Sequence, residues 1–298
     1  MKSFTRATLR TAIQRAPAFV PKRAIRWLDN DLLHNPVTTA APAWFGGRFP
    51  VTTSDIIQRY LYTFGTWEPH LSAWITRRLT TGDTFVDVGA NIGYYTMLAS
   101  HLVGPTGHVA AVEPVPCFHH HLQATLLLNG ARNVRTIEKA VAIESGRVEM
   151  FLADPGNLGG TSTIRPRVVR EAFHADAAPL PDLLTPVEIR DARLIKIDVE
   201  GAEVAAAQSL APVLGTLRPD AELIIEVTPR ALAKQGADVD DVIAPLRAAG
   251  FHTYRITNDY DPTTYPAAIR TPALPQRWEQ PVTGMSDLVF SRIDADHL

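Results

Sequence analysis

The chain has 298 residues, of which 46% are hydrophobic and 20% are charged, and its formal net charge is −2. This is the ordinary balance of a soluble protein, and the length suits one large domain with extensions. A charge this close to neutral gives no basic field for a nucleic-acid partner, and no apolar run reaches the ~18 residues of a transmembrane helix. The single cysteine, Cys117, excludes an intrachain disulfide and fits a reducing, cytoplasmic compartment.

The N-terminal region is basic, because seven Lys and Arg residues precede the first acid, Asp29. No continuous apolar stretch accompanies them, so a secretory signal is not indicated. Residues 4–14 are compatible with a basic helix that is solvated, frayed, or in contact with an acidic partner or a membrane surface. Prolines interrupt the residues that follow. We therefore expect residues 1–50 to form a partly helical extension or part of a lid, ahead of a domain over 51–298.

The rest of the chain alternates between predicted helices and predicted strands. A helix over 54–79 is interrupted at 65–69, and further helices are predicted at 91–102, 118–128, 202–210 and 239–249. Apolar runs predict strands at 84–88, 108–113, 134–138, 194–199, 222–227, 253–257 and 287–292, with an extra strand at 147–152. Such alternation requires a parallel sheet with right-handed crossovers. The Pro-rich stretch 261–281 is predicted to be a surface loop.

Residues 84–96 combine a buried strand, an acid and a glycine turn. Asp87 interrupts the strand, and Gly89 and Gly93 lie four residues apart in the turn that follows. Glycines at such positions let a ligand approach the backbone, and the start of the next helix offers N–H groups to an anionic group. The pattern therefore predicts a nucleotide-type binding turn.

A second acid ends the next predicted strand. Glu113 follows Gly93 by about twenty residues, and Pro114 fixes the turn beyond it. An acid at this place can accept hydrogen bonds from both hydroxyls of a ribose, in enzymes that use dinucleotides and in those that use S-adenosylmethionine (SAM). A helix-capping acid is the alternative interpretation of Glu113.

A cluster of carboxylates follows the strand predicted at 194–199. Asp198 ends an apolar run, Glu200 and Glu203 follow it closely, and Glu226 comes near the end of the next predicted strand. Ligands bind at the carboxyl edge of open α/β sheets, so these acids are candidates for a functional site. Solvated surface acids are the alternative.

Taken together, these motifs resemble the FkbM family of SAM-dependent methyltransferases. The resemblance spans roughly residues 60–257, with a weaker match at 286–291, and it rests on the stretches 65–69, 86–93, 112–114 and 195–203, on Asn129 and on the Glu226 strand. It implies an α/β fold of the class I methyltransferase type, which is a doubly wound, seven-stranded, mostly parallel sheet with an antiparallel last strand. It also implies SAM as the cofactor and, most often, O-methylation of a hydroxyl on a secondary metabolite or a sugar.

A cofactor site follows from that resemblance and the expected strand order. Asp87 and the backbone of Gly89, Ala90, Asn91 and Gly93 would hold the methionine end of SAM, because the ammonium needs a carboxylate and the carboxylate needs N–H donors. Glu113, with Pro114 beyond it, would bind the ribose. Ala140 and Val141, at the mouth of the third strand, would face the adenine.

Methyl transfer to a hydroxyl depends chiefly on alignment, and a base near neutral pH assists it. Asp198 is the first candidate for this base by its location, and Glu200, His174 and His121 are the others. The carboxylates Asp198, Glu200, Glu203 and Glu226 also suit Mg²⁺. The resemblance does not require a metal, and we expect none.

The acceptor pocket is expected in three variable segments, namely 1–50, 153–185 and 258–285. The segment 157–162 is polar and Gly-rich, so we interpret it as a substrate-side loop, with an ordinary surface turn as the alternative. Aromatic residues of these segments are candidates for an apolar pocket or for packing anchors: Trp44, Phe45, Tyr260, Tyr265 and Trp278. The expected acceptor is a small molecule or a glycan.

Two other functions use part of the same pattern. An NAD(P)-dependent oxidoreductase shares the glycine turn and the ribose acid, but its turn normally reads Gly-x-Gly-x-x-Gly. A noncatalytic SAM-binding protein would keep Gly89 and Glu113 without needing the carboxylates at Asp198 and Glu226. The presence of those carboxylates favours catalysis.

Overall fold

A computed structural model describes residues 2–15, 19–152, 161–163 and 171–298 of the chain. Its central sheet has eight strands, namely β3 Thr84–Val88, β4 His108–Val112, β5 Val134–Ile137, β10 Ala192–Ile197, β11 Glu222–Val227, β12 His252–Ile256, β13 Gln276–Arg277 and β14 Ser286–Ser291. Their order across the sheet is β13-β12-β14-β11-β10-β3-β4-β5.

The sheet is parallel from β5 to β11, and β14 lies antiparallel between β11 and β12. All seven predicted strands of the sheet are present, and the doubly wound α/β fold with an antiparallel last strand is confirmed. The eighth strand, β13, has two residues at the edge and lies within the stretch that was predicted to be a loop, 261–281. Strands β3, β10 and β11 are neighbours, so their carboxyl ends meet at one edge.

Helices cover both faces of the sheet. Their bounds are α1 Lys2–Arg15, α2 Lys22–His34, α3 Ile56–Phe64, α4 Pro69–Arg78, α5 Tyr94–Val103, α6 Pro116–Asn129, α7 Leu180–Leu183, α8 Pro186–Asp191, α9 Glu203–Leu210, α10 Pro229–Lys234, α11 Val239–Ala248 and α12 Tyr265–Arg270. Side chains of β3 alternate between the two cores, since Phe85 packs with one cluster and Val86 with the other. In the described part of the chain, no helix is long and apolar enough to span a bilayer.

The N-terminal region packs into the main core. Ile13 of α1, Leu28 of α2 and Phe49 belong to the same buried cluster as Phe85. Strands β1 (Thr38–Pro42) and β2 (Arg48–Thr52) form a hairpin, so the domain boundary predicted at residue 50 falls inside a strand. Asn129 at the end of α6 binds this hairpin. Its side-chain amide accepts a hydrogen bond from the N–H of Arg48 and donates one to the carbonyl of Arg48.

The basic helix α1 is bound to the body of the protein. Arg6 forms an ion pair with Asp31, and the Arg10 Nε donates to the carbonyl of Tyr62 at 2.6 Å while its guanidinium lies 4.2 Å from the Tyr62 ring centroid. Ile13 is only 2% exposed. The helix is therefore packed, in contrast to a solvated or frayed segment.

A second sheet stands beside the end of β5. It has the order β6-β9-β7-β8, with β6 Ala140–Val141, β7 Gly146–Leu152, β8 Thr161–Ser162 and β9 Glu171–Ala178. Strand β7 confirms the extra strand predicted at 147–152. Most of the predicted substrate-side loop, residues 157–160, lies outside the described residues.

Candidate functional site

A cavity of about 320 Å³ opens at the carboxyl edge of the parallel strands. Predicted cofactor residues that line it are Gly89, Ala90, Asn91, Glu113, Pro114, Ala140 and Val141, and the predicted catalytic residues Asp198 and Glu200 line it as well. The strand order brings these together from the ends of β3, β4 and β10 and from β6. Of the described residues between 2 and 50, none lines the cavity.

Gly89 is required by a close approach between two strand ends. Its φ is +85°, and a Cβ atom there would lie 1.8 Å from the carbonyl oxygen of Asp198. Gly93 has φ +88°, and a Cβ there would lie 2.5 Å from Leu122 Cδ1. Residue 89 therefore has no space for a side chain, whereas at residue 93 a side chain is disfavoured by the positive φ and would displace the end of Leu122. Gly93 packs against α6 and does not line the cavity.

The N–H groups of the glycine turn already have acceptors within the protein. Those of Gly89 and Ala90 donate to the Val112 carbonyl, that of Gly93 donates to the Ala90 carbonyl, and that of Ile92 donates to the Asn91 side chain at 2.7 Å. Because these bonds would have to be replaced before the turn could bind a carboxylate, the predicted anion contact requires local rearrangement.

Glu113 is held by the backbone on both of its oxygens. Oε2 accepts from the N–H of Asn91 at 2.7 Å, and Oε1 accepts from the N–H of Val115 at 2.9 Å. The residue is 4% exposed. Burial raises the pKa of Glu113 to about 7, although the two backbone N–H groups oppose the shift. The carboxylate is thus fixed at the cavity wall with lone pairs left for further donors.

Asp87 lies behind the cavity wall and not in it. It is 1% exposed, Oδ2 accepts from the Thr96 hydroxyl at 2.6 Å, and Oδ1 has no partner among the described residues. Burial raises the pKa of Asp87, and the charge of Lys196 partly opposes this. The structure therefore does not bring Asp87 to the place predicted for it, because its side chain points under α5.

Lys196 is a buried ammonium that the sequence analysis did not assign to the site. It lines the cavity, is 2% exposed, and its Nζ lies 2.7 Å from Asp198 Oδ2 and 4.8 Å from the Tyr95 ring centroid. Burial alone would lower the pKa of Lys196, but the charges of Asp198, Asp87 and Glu68 outweigh it and raise the pKa. Asp198 is therefore oriented by a permanent charge.

Glu200 and Glu203 both have a pKa suited to proton exchange near neutrality. Burial, together with the charges of Asp198 and Glu203, raises the pKa of Glu200 to about 7, and burial also raises that of Glu203 to about 7. Glu200 lines the cavity. Glu203 is 4% exposed, accepts from the Gly201 N–H at 3.0 Å, and lies outside the lining, as its predicted position on the next helix implied.

Glu68 is a second site residue that the sequence analysis missed. It precedes α4 with φ 40°, is 3% exposed, and lines the cavity. Its carboxylate accepts from the hydroxyls of Tyr95 at 2.5 Å and Tyr260 at 2.6 Å. Burial raises the pKa of Glu68, and Lys196 partly opposes the shift. In the sequence, Glu68 could have been found only as a polar residue that directly precedes the proline at the start of a helix.

Three carboxylates come within metal-binding distance of each other. One oxygen from each of Glu68, Glu226 and Asp287 lies within 4.8 Å of the other two. Asp287 faces Glu226 across β14 and β11. Of the four acids that the sequence analysis considered as Mg²⁺ ligands, only Glu226 belongs to this group. Burial raises the pKa of Glu226 and of Asp287 well above the usual carboxyl range.

The predicted histidine bases lie elsewhere. His174 is exposed on β9 opposite Glu149 and does not line the cavity. His121 contacts the carbonyl of Pro50 at 2.8 Å, and burial lowers its pKa. Of the five aromatic residues considered for the acceptor pocket, Tyr260 alone lines the cavity, while Phe45 and Tyr265 are buried in the core and Trp44 is 53% exposed.

Residues 87–253, more than half of the chain, match the protein family described as Methyltransferase FkbM domain. A curated protein-L-isoaspartate O-methyltransferase from Ignicoccus hospitalis is 32% identical over 71 residues, which are 23% of this chain and 34% of that protein. The chain thus spans about a third of the length of the curated relative that it matches.

Solved structures of several methyltransferases are similar at low identity, and three of them illustrate the range. The methyltransferase FkbM of Methylobacillus flagellatus has a TM-score of 0.40 at 18% identity, covering 72% of this chain and 44% of that one. Aeropyrum pernix fibrillarin with natively bound SAM has a TM-score of 0.42 at 14% identity, covering 76% of each chain. A Thermotoga maritima SAM-dependent O-methyltransferase has a TM-score of 0.43 at 12% identity, covering 89% and 82%.

Proposed function

Because this chain belongs to the FkbM family of SAM-dependent methyltransferases, we propose that it methylates a hydroxyl oxygen on a small molecule or a glycan. The observation that carries the proposal is the cavity that Glu113, the glycine turn and the carboxylates Asp198 and Glu200 line together. SAM supplies a methyl group on a positively charged sulfur when it is bound.

The chemistry of the cavity fits the parts of SAM. Glu113 offers carboxylate oxygens to the ribose hydroxyls, and an apolar wall with Val141, Phe118 and Met150 suits the adenine. The opposite wall carries Glu68 and Asp198, whose negative charge suits the ammonium and the sulfonium. Asp87 is replaced in this role, because its carboxylate does not reach the cavity.

Glu200 is the proposed general base. Its pKa of about 7 leaves it partly ionised near neutrality and able to accept the hydroxyl proton. Asp198 is fixed by Lys196 at 2.7 Å and would orient the acceptor hydroxyl by accepting its hydrogen bond. His174 is left out of this proposal, because its exposed position on β9 is separate from the cavity lining.

The first test is titration of the protein with SAM and, separately, with NAD⁺. SAM is expected to bind and NAD⁺ is not; the reverse result would favour the oxidoreductase. Acceptor hydroxyls are then screened by formation of S-adenosylhomocysteine (SAH), and mass spectrometry locates the added methyl group.

Glu200→Gln is expected to lower kcat by about 10²-fold or more, while SAM affinity stays within a few-fold. Glu144→Gln, an exposed carboxylate outside the cavity, is the matched control. Methyl groups found only on nitrogen would contradict the O-methylation proposal, and SAM binding without turnover on any acceptor would favour the noncatalytic alternative.

A further inference from the structure

The far wall of the cavity carries more carboxyl groups than the cationic side chains beside it can pair with. Glu68, Asp198, Glu200 and Glu226 line this wall, and Asp287 lies directly behind Glu226. Among the described residues that line the cavity, the cationic side chains are Lys196 and Lys139. Lys139 is exposed and adjoins Ala140 at the opposite end, and Lys196 is already paired with Asp198.

Among the described residues, the carboxylates of Glu226 and Asp287 form no ion pair, although the charge of Lys196 partly opposes the rise in the pKa of Asp287. Asp287 accepts a hydrogen bond from the Asn258 amide, and Glu226 accepts none within the described part of the chain. The Asn258 Oδ1 atom is buried and also has no hydrogen-bond partner there. In the described part of the chain this pair therefore has no cationic side chain in direct contact, and a nearby amide oxygen has no donor. A buried polar group in this condition costs free energy until a donor arrives.

Two aromatic rings lie at the same wall. Trp67 and Tyr260 both line the cavity, and their rings stack with centroids 5.3 Å apart and planes 20° apart. Tyr260 is fixed from two sides, because its hydroxyl donates to Glu68 at 2.6 Å and its carbonyl accepts from the Tyr60 hydroxyl at 2.6 Å. Aromatic faces beside carboxylates are the surroundings that favour an organic ammonium group.

Bound SAM does not remove this imbalance. Its sulfonium and ammonium carry two positive charges and its carboxylate one negative charge, so it adds a single net positive charge to the cavity. Glu68 and Asp198 suffice for that charge, and Lys196 remains paired. The Glu226 and Asp287 pair would still offer no cation to an acceptor that carries phosphate, sulfate or carboxylate near the hydroxyl.

We propose that the acceptor carries a protonated amine close to the methylated hydroxyl, and that the carboxylates of Glu226 and Asp287 receive this ammonium group. The inference rests on the proposed function and names its substrate class. The ammonium would donate to both carboxylates, and the stacked rings of Trp67 and Tyr260 would cover its apolar neighbours. Acceptors in which the amine is acylated would lose the charge and these hydrogen bonds.

The test compares matched pairs of hydroxylated probes against the protein saturated with SAH. Ethanolamine is paired with N-acetylethanolamine and glucosamine with N-acetylglucosamine, and each is titrated calorimetrically near pH 7. In at least one pair the free amine is expected to bind about tenfold tighter or more, which is about 1.4 kcal/mol. Its binding is also expected to release protons, measured by repeating the titration in buffers of different ionisation enthalpy, because the ammonium favours the ionised carboxylates.

Glu226→Gln is expected to reduce the preference for the amine to below about threefold, whereas Glu144→Gln keeps it. Asp287→Asn gives a second removal of charge if Glu226→Gln does not fold, and thermal unfolding with SAH checks each variant. Equal binding within every pair, binding of neither member, or a preference that survives in Glu226→Gln and Asp287→Asn would overturn the proposal.

Mg²⁺ alone is titrated in the same series. A single Mg²⁺ site that Glu226→Gln removes, without discrimination between the paired probes, would assign these carboxylates to a metal and overturn the ammonium proposal. Failure of SAH itself to bind would instead count against the proposed function, so the two failures are distinguishable.

Discussion

Glu113 is buried, titrates near neutrality and lies where a ribose is expected. Its two oxygens accept backbone N–H groups and keep the side chain in one orientation. The charged form is the better acceptor for two hydroxyl donors. Affinity for the cofactor and ionisation of this single side chain are therefore linked.

We expect SAM affinity to fall as the pH falls through about 7, because burial raises the pKa of Glu113 to about 7 and protonation removes the charged acceptor. The limiting slope is about tenfold per pH unit. Calorimetric titration between about pH 6 and pH 8 measures it. Glu113→Gln should bind SAM about tenfold more weakly or worse at pH 8 and lose this pH dependence; an equally steep slope in the variant would contradict the assignment.

A methyl group at residue 89 has no room. We expect Gly89→Ala to cost more than about 4 kcal/mol or to prevent folding, because the new Cβ would meet the Asp198 carbonyl at 1.8 Å. Gly130→Ala is the matched control, since Gly130 also has a positive φ of +62° but nothing lies within 4 Å of the added atom. That variant should lose only about 1–2 kcal/mol in urea unfolding. Similar losses in both would refute the role of the close approach.

At the scale of elements, the carboxylate of Glu188 connects helix α8 to the edge of the sheet. Glu188 forms a capping box with Thr185, accepts from Arg135 of β5 at 2.8 Å, and contacts His108 of β4 at 2.7 Å. Although burial opposes ionisation, hydrogen bonds from these groups lower the pKa of Glu188 to about 2. The side chain therefore stays charged and joins three elements.

We expect Glu188→Gln to reduce the free energy of unfolding by about 2 kcal/mol, because charge-assisted bonds to Arg135 are lost in a site that is 4% exposed. Urea unfolding measures the change. Glu171→Gln on β9 removes an exposed carboxylate and should stay within about 0.5 kcal/mol of the parent. If Glu188→Gln also changed the free energy of unfolding by no more than about 0.5 kcal/mol, the proposed stabilising role of Glu188 would be contradicted.

Local sequence patterns were sufficient for the seven long strands of the central sheet and for part of the site, but not for the β1–β2 hairpin, β9 or β13. Gly89, Glu113 and Asp198 come at the ends of apolar runs. Because the carboxyl ends of parallel strands meet at one edge of the sheet, the sequence predicts that these residues lie close together. Glu68 and Asp287 were not predicted as site residues, because their position at the cavity depends on contacts between residues distant in sequence, such as the pairing of Glu226 with Asp287. Lys196 is a charged residue within an apolar run, and this pattern could have predicted a buried charge at the site. Asp87 was misplaced because β3 turns its side chain toward α5.

At the scale of the whole molecule, buried acids oppose stability at alkaline pH. Glu113 and Glu203 are each 4% exposed, and burial raises the pKa of both from 4.5 to about 7. Between these two values the native state keeps protons that the unfolded chain releases, so stability falls as the pH rises through this window. Below about 6.5 the lowered pKa values of the half-buried His70 and His121 act in the opposite direction.

We therefore expect the cofactor-free protein to unfold at lower urea concentration near pH 8 than near pH 6.5, with roughly 1 kcal/mol lost per buried carboxyl. Equilibrium unfolding at the two pH values measures the difference. Glu203→Gln, which cannot ionise, should show a smaller loss over the same interval. A parent protein that is more stable near pH 8 would contradict the sign.

The place of β14 has a consequence for the order of assembly during synthesis. Strands β11 and β12 both precede it in the chain, yet each pairs with β14 and not with the other. Until residues 286–291 are made, both strands expose an unpaired edge, which invites pairing with other chains. Asp287 arrives with the same strand and faces Glu226. The synthesis of β14 therefore covers both exposed strand edges and adds Asp287 beside Glu226 in one step. A chain that ends before β14 should aggregate and should lack this pair of carboxyl groups.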